Sequence, residues 1–190
     1  MGAIPTRGTL RMLHIGSASA FQAEGVSSIL IIRSKQRKWY TKTMDLISQL
    51  KLIKANAFVF YTKAHGYHWN VEGILFTQYH KFFLKIYEDV FGSIDTYAEE
   101  LRKLGAYAPF QIDEILQTSN VKYDFPTTSP IEMLRNLLDS NNQIILDLKN
   151  AFRIANDADE QGLANFIAER LDQHQFWKWQ LTASLKTTVN

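Results

Sequence analysis

Cysteine is absent from all 190 residues, which removes disulfides, thiolate metal ligands and thiol peroxidase chemistry in one step. Long apolar runs are missing as well. Ile29 to Ile32 is flanked by Ser28 and Arg33 and falls far below membrane-spanning length. No targeting segment, internal repeat or low-complexity stretch stands out, so a soluble, cytoplasmic protein without a membrane partner is expected. Hydrophobic residues make up 46% of the chain and aromatics 13%, enough to bury one sizeable core.

The richest segment is His68-Trp69-Asn70-Val71-Glu72-Gly73, followed by His80 and then by Asp95 and Glu99. Imidazoles with carboxylates suit divalent iron or zinc, whereas an all-oxygen set would suit calcium or magnesium. One chain cannot readily close such a site. His80 and Asp95 lie 15 residues apart, so on one straight helix they are separated by roughly 22 Å. At about 100° per residue, His80, Leu84, Glu88, Asp95 and Glu99 nevertheless share roughly a third of the helix circumference. Two such helices, antiparallel about a two-fold axis near Glu88, would set His80 of one copy opposite Asp95 and Glu99 of the other. Taken singly, Asp95 and Glu99 read as a solvated helix face, and each histidine as a core or surface residue. Their combination is what points to a shared metal site.

These residues resemble the Dps mini-ferritins, the DNA-binding proteins from starved cells of the ferritin-like superfamily. The similarity runs from about Asp45 to Leu185 and rests on His-Trp-Asn, the following glycine, the histidine twelve residues after the first, and the acidic pair. The resemblance implies an all-α, ferritin-like four-helix bundle with a short helix between helices 2 and 3. It also implies a hollow dodecamer of two-fold dimers that oxidises Fe²⁺, at mononuclear or di-iron sites, and stores ferric iron while protecting DNA. His68 and His80 would bind from one subunit, and Asp95 and Glu99 from its partner, with Glu99 as the bridge between two irons. His65, one turn before His68, is an auxiliary candidate that the family pattern does not require. Trp69 would pack beside the iron site and intercept oxidising equivalents, although its ordinary role is core packing.

Two departures bear on this chemistry. The family usually carries a carboxylate where this chain has Leu84, and Lys81 follows His80. Leucine cannot ligate, and an inward ammonium disfavours cations. Glu88, one turn on, is the substitute candidate. A rival reading therefore stands beside the ferroxidase: a DNA-binding or structural shell with impaired iron chemistry. Zinc occupancy is a third reading, because the ligand types do not select iron.

Charge is unevenly placed. Residues 1–43 hold Arg7, Arg11, Arg33, Lys35, Arg37, Lys38 and Lys42 against Glu24 alone, within a chain of net charge +2. A basic extension on an acidic body fits a flexible arm for non-specific DNA, with Arg33, Lys35, Arg37, Lys38 and Lys42 on phosphates and twelve copies adding avidity; a nucleoid-associated location would follow. The competing reading is that 1–43 is not native sequence and that Met44-Asp45-Leu46 opens the domain, which then spans 44–190. Within the extension, 27–32 reads as a short strand or an aggregation-prone patch.

Along the body, Leu46, Leu50, Ile53, Ala57, Phe60 and Ala64 predict a first helix ending near Asn70. Phe83, Ile86, Val90, Ile94, Tyr97 and Leu101 predict a second from Phe76 to Leu104, closed by Gly105. A short helix is expected over Gln111 to Leu116. A third long helix starts at Ser129-Pro130 with Glu132 completing a capping box and ends near Ala155. A fourth, capped by Asp157 with Glu160 three residues on, runs to about Lys186. Asp157, Asp159 and Glu160 suit a helix start by charge; the resemblance adds that acids there line a three-fold pore. His174 reads as structural, and Phe176, Trp177 and Trp179 as core or interface.

Overall fold

From Leu46 onward, apolar residues spaced three and four apart line the buried faces of the long helices among the described residues. The computed structural model describes residues 18–123 and 127–186, with side chains from 36 onward except Lys38. Five helices follow in order: α1 (Ala18–Asn70), α2 (Phe76–Lys103), α3 (Ile112–Thr118), α4 (Pro130–Asp157) and α5 (Gln161–Ser184). No strand occurs among the described residues, so the fold is all-α as expected. The chain divides into two compact units, 1–39 and 40–190.

The first unit differs from expectation where it is described. α1 is helical from Ala18, well upstream of the hydrophobic pattern that begins at Leu46. Residues 27–32 therefore lie in helix, and the short strand is not formed: nothing pairs with them, while each helical residue satisfies its own backbone groups.

In the second unit, Leu46, Leu50, Ile53, Phe60, Phe83, Ile86, Val90 and Leu101 are completely buried. α4 and α5 pack along each other, and α2 meets α5. Gly73 (φ 116°) and Gly105 (φ 80°) occupy the left-handed region that L side chains avoid. Gly73 shapes the α1–α2 turn, and Gly105 ends α2 while Ala106 N–H donates to the Leu101 carbonyl at 3.0 Å.

Two capping expectations fail. Ser129 precedes α4 and Pro130 opens it, but the serine side chain makes no capping hydrogen bond. Ser129 holds the N-cap position as expected, but the capping box does not close: Glu132 accepts from the Thr127 hydroxyl, which in turn accepts the Ser129 N–H. α4 also runs two residues past Ala155 and ends on Asp157, which therefore does not cap α5. The reversal into α5 places Asp159 at φ 60°, a conformation that aspartate tolerates better than most residues.

The long α2–α4 connection is fastened from beneath. Asn56, fully buried, accepts from Ser119 Oγ at 2.8 Å and the Asn120 N–H at 3.0 Å, and donates to Asp147 at 2.9 Å. Ile115 on α3 is buried as well. Together they hold the short helix against the bundle.

His174 is structural, as its place in the sequence suggested. Asn141 donates through Nδ2 to the His174 carbonyl at 2.9 Å, so its Oδ1 accepts from His174 Nδ1 at 2.6 Å. Burial first, and the Arg170 charge second, depress the imidazole pKa from 6.5 to about 3. Above 6.5 both folded and unfolded chains hold it neutral and its contribution to stability is complete. Below 6.5 the unfolded chain binds a proton that the fold refuses until about 3. Denaturant melts should therefore show a stability loss approaching about 1.4 kcal/mol per pH unit as pH falls below 6.5. His174→Gln should flatten that slope; a parent curve level between about pH 6.5 and pH 5 would contradict it.

Candidate metal centre

The last three turns of α1 carry Tyr61, His65, His68 and Trp69, and the turn through Gly73 brings the start of α2 back beside them. The His68 and His80 rings stack with centroids 3.7 Å apart. Each ring is tied to the other's backbone: His68 Nδ1 lies 2.8 Å from the His80 carbonyl and His80 Nδ1 lies 2.7 Å from the His68 carbonyl. A carbonyl oxygen only accepts, so both Nδ1 atoms carry a proton, which selects the tautomer whose Nε2 holds the lone pair whenever the ring is neutral. Metal-binding imidazoles are commonly prepared in this way, with the second nitrogen anchored by an acceptor.

Aromatic rings fix these planes from the sides. Tyr87 meets His68 edge-on at 5.3 Å, and Phe76 lies 5.0 Å from His80. His65 stacks on Tyr87 at 4.2 Å, touches Trp69 at 4.1 Å, and has Nδ1 3.2 Å from the Tyr61 hydroxyl. Desolvation, and then the neighbouring His68, hold its pKa below the usual histidine value. His65 thus adjoins the pair as a neutral ring packed among aromatics. Trp69 departs from its ordinary role: it is 65% exposed, because it lies on the outward side of α1 and contributes to no core.

Glu88, Asp95 and Glu99 all lie exposed on α2. Because α2 is one continuous helix, His80 and Asp95 stand roughly 22 Å apart along its axis. Among the described residues, no group of three or more His, Asp or Glu within one chain could hold a metal ion. The fold brings His68 and His80 together, with His65 alongside, and leaves the acids distant. Leu84 is half-buried and Lys81 exposed on the same helix.

Other candidate residues are placed as follows. Asp157 and Asp159 are exposed at the α4–α5 reversal and Glu160 is half-buried there. Lys42 donates to the Asp157 carbonyl, so one candidate DNA contact is engaged with the bundle. Arg37 is exposed. The side chains of Arg33, Lys35 and Lys38 lie outside the described residues, although their backbone is helical.

One cluster escaped the sequence reading. Arg170 donates to both Asp89 oxygens at 2.9 Å, and the Trp177 indole N–H donates to Asp89 Oδ2 at 2.8 Å. Burial raises the Asp89 pKa, but these hydrogen bonds and the guanidinium charge more than offset it, leaving a net lowering. This is an internal ion pair joining α2 to α5, and it leaves Arg170 Nε and the buried Tyr97 hydroxyl without a hydrogen-bond partner. A signal was present: Arg170 interrupts the apolar spacing Leu163, Ile167, His174, Trp177 and Leu181.

The chain matches the ferritin-like domain over residues 47–189. It is 30% identical to the DNA protection during starvation protein of Brevibacillus brevis, covering 70% of this chain and 89% of that one. The Dps of Vibrio cholerae O1, described as a member of a broad superfamily of ferritin-like diiron-carboxylate proteins, superposes with a TM-score of 0.74 at 25% identity, covering 77% of this chain and 92% of that one. The Dps of Thermosynechococcus elongatus gives 0.77 at 25% identity, over 80% and 96%.

Proposed function

We propose that this chain, which belongs to the ferritin-like family and within it to the Dps mini-ferritins, takes up Fe²⁺ at sites shared between two copies, oxidises it and stores the product within an oligomeric shell. The family association is with iron storage and DNA protection. The observation that carries the site assignment is the reciprocal anchoring of His68 and His80 through Nδ1, with the two rings stacked at 3.7 Å and each Nε2 uninvolved in those contacts.

Neutral imidazoles bind Fe²⁺ as substrate without cancelling its charge, so carboxylates must complete the site. Asp95 and Glu99 of a partner supply them in the antiparallel pairing. Glu99 is the bridge wherever a second iron binds, and Glu88 and His65 are the auxiliary ligands. Hydrogen peroxide or oxygen is the oxidant. Consuming peroxide together with Fe²⁺ suppresses hydroxyl radical formation, and Trp69, exposed next to His68, takes stray oxidising equivalents. Two-fold dimers assemble into a dodecamer, with Asp157, Asp159 and Glu160 ringing a three-fold entry that attracts cations. The basic stretch Arg33, Lys35, Arg37, Lys38 and Lys42 contacts DNA phosphates in the cytoplasm. No helix among the described residues is long and apolar enough to cross a membrane. Iron is favoured over zinc by the family, since the ligand types alone leave the two equal.

The test is anaerobic Fe²⁺ titration followed by peroxide or oxygen, read as ferric absorbance against a metal-free control. The parent should oxidise iron well above that control, and His80→Ala with Glu99→Ala should fall to it. Equal rates in parent and variant would make the assignment wrong. Leu84 and Lys81 favour a second reading, a DNA-binding or structural shell, and a parent no faster than the control would establish it.

A further inference from the structure

Phe91 is 60% exposed on α2, an unusual position for so large an apolar ring. It borders an open groove of about 420 Å³ lined by Ile94, Ala98, Pro109 and Phe110, with Asp95 among its walls. At about 100° per residue, Phe91 falls on the same stripe as His80, Leu84 and Asp95. An antiparallel pairing that sets His80 opposite Asp95 also sets Leu84 opposite Phe91, since each lies four residues inward from the first pair. The stripe offers no other apolar residue at that level.

We propose that Leu84 packs against Phe91 of a second copy of this chain, forming an apolar contact made twice across the two-fold axis in the place where a further iron-binding carboxylate would otherwise stand. The inference rests on the shared-site reading above and goes beyond it. It assigns Leu84 a role, gives the exposed Phe91 an occupant, and fixes the register of the two helices. It also reduces the shared ligand set to His68 and His80 with the partner's Asp95 and Glu99, a set suited to one firmly held metal ion. The docking face is incomplete without the second copy, as is the metal site.

The absence of cysteine makes the register directly testable. In full-length protein carrying both Leu84→Cys and Phe91→Cys, mild oxidation with diamide should yield a covalent dimer on a denaturing gel. Neither single variant should do so. In this register, like positions on the two copies are seven residues apart along the helix, roughly 10 Å, beyond the reach of a disulfide. Co-expression of the two single variants should restore one cross-link per pair, and it supplies the reading if the double variant does not assemble. Failure of both the double variant and the co-expressed pair to cross-link in oligomers intact by mass photometry, or equal cross-linking by the single variants, would overturn the register. Cross-linking is independent of iron chemistry. Cross-linking in the variants with no iron oxidation by the parent would refute the ferroxidase reading alone, whereas iron oxidation by the parent without the cross-link in the variants would refute this contact alone.

Discussion

Arg170→Met should destabilise the bundle by about 3–5 kcal/mol, the usual cost of removing one partner from a buried ion pair, and lower its melting temperature by on the order of 10 °C. The side chains of Arg170 and Asp89 are only 9% and 23% exposed, so little water replaces the lost guanidinium. The carboxylate keeps the Trp177 indole donor at 2.8 Å and loses both 2.9 Å contacts from Arg170. The pH dependence carries the diagnostic. In the parent, the Asp89 pKa lies below 3.8, so its contribution is present above the unfolded value and is lost as pH falls through the folded one. In the variant, burial acts almost alone and raises the pKa. The charged carboxylate then opposes folding at neutral pH, and the deficit relative to the parent narrows as pH falls toward and below 3.8. Adding Asp89→Leu should recover most of the loss. Thermal melts at neutral and acid pH decide it: a deficit that stays constant across this range would show that Arg170 acts by packing alone.

The same ion pair shows where a single sequence stops being informative. Arg170 at a core spacing announces that an anion must lie nearby, but Glu88 and Asp89 are adjacent carboxylates on α2, and only the helix rotation selects the second. Asn56 and Asp147 are alike in this respect. Each is a polar residue on a buried face, and each partner is distant in sequence. His68 and His80 were legible because ligand type and spacing coincide around one turn. The separation of Asp95 from His80 was legible because helix rise is nearly invariant. Helix ends were not, because a cap is a competition among neighbouring side chains. Thr127 took Glu132 and the Ser129 N–H out of the capping box, and two further residues of α4 absorbed Asp157. Trp69 shows the same limit: its size suggests burial, whereas the rotation of α1 turns it outward.

These features place the molecule's chemistry on a surface that one chain leaves open. The core is complete within residues 40–190, and its polar residues are largely satisfied by one another. By contrast, Trp69, Phe76 and Phe91 are exposed, and Asp95 and Glu99 face solvent. On the proposed shared site, folding sets two histidines and association would supply the acids, so metal affinity and oligomerisation would be linked: whatever binds the paired state stabilises it.

That linkage makes Leu84 the most informative position for function. Leu84→Asp should raise the iron bound at each shared site from one to two and hold the second Fe²⁺ on the order of tenfold more tightly, an additional charge-assisted ligand contributing roughly 1.4 kcal/mol. The residue lies one turn after His80 on the same face, so a carboxylate there stands beside the imidazole and one turn inward from the level of the partner's Asp95. A second iron bridged through Glu99 should also speed oxidation, since two electrons then leave together for one peroxide. The cost falls on assembly, because an aspartate replaces an apolar side chain against Phe91. Leu84→Asn separates the two effects: it has the same shape as the aspartate and removes the same apolar contact, but it adds no charge. Both variants should therefore form a weaker oligomer, and only the aspartate should gain iron. Anaerobic Fe²⁺ titration of the assembled fraction of each reads this directly. Equal stoichiometry in the two would show that a carboxylate at position 84 does not reach the metal.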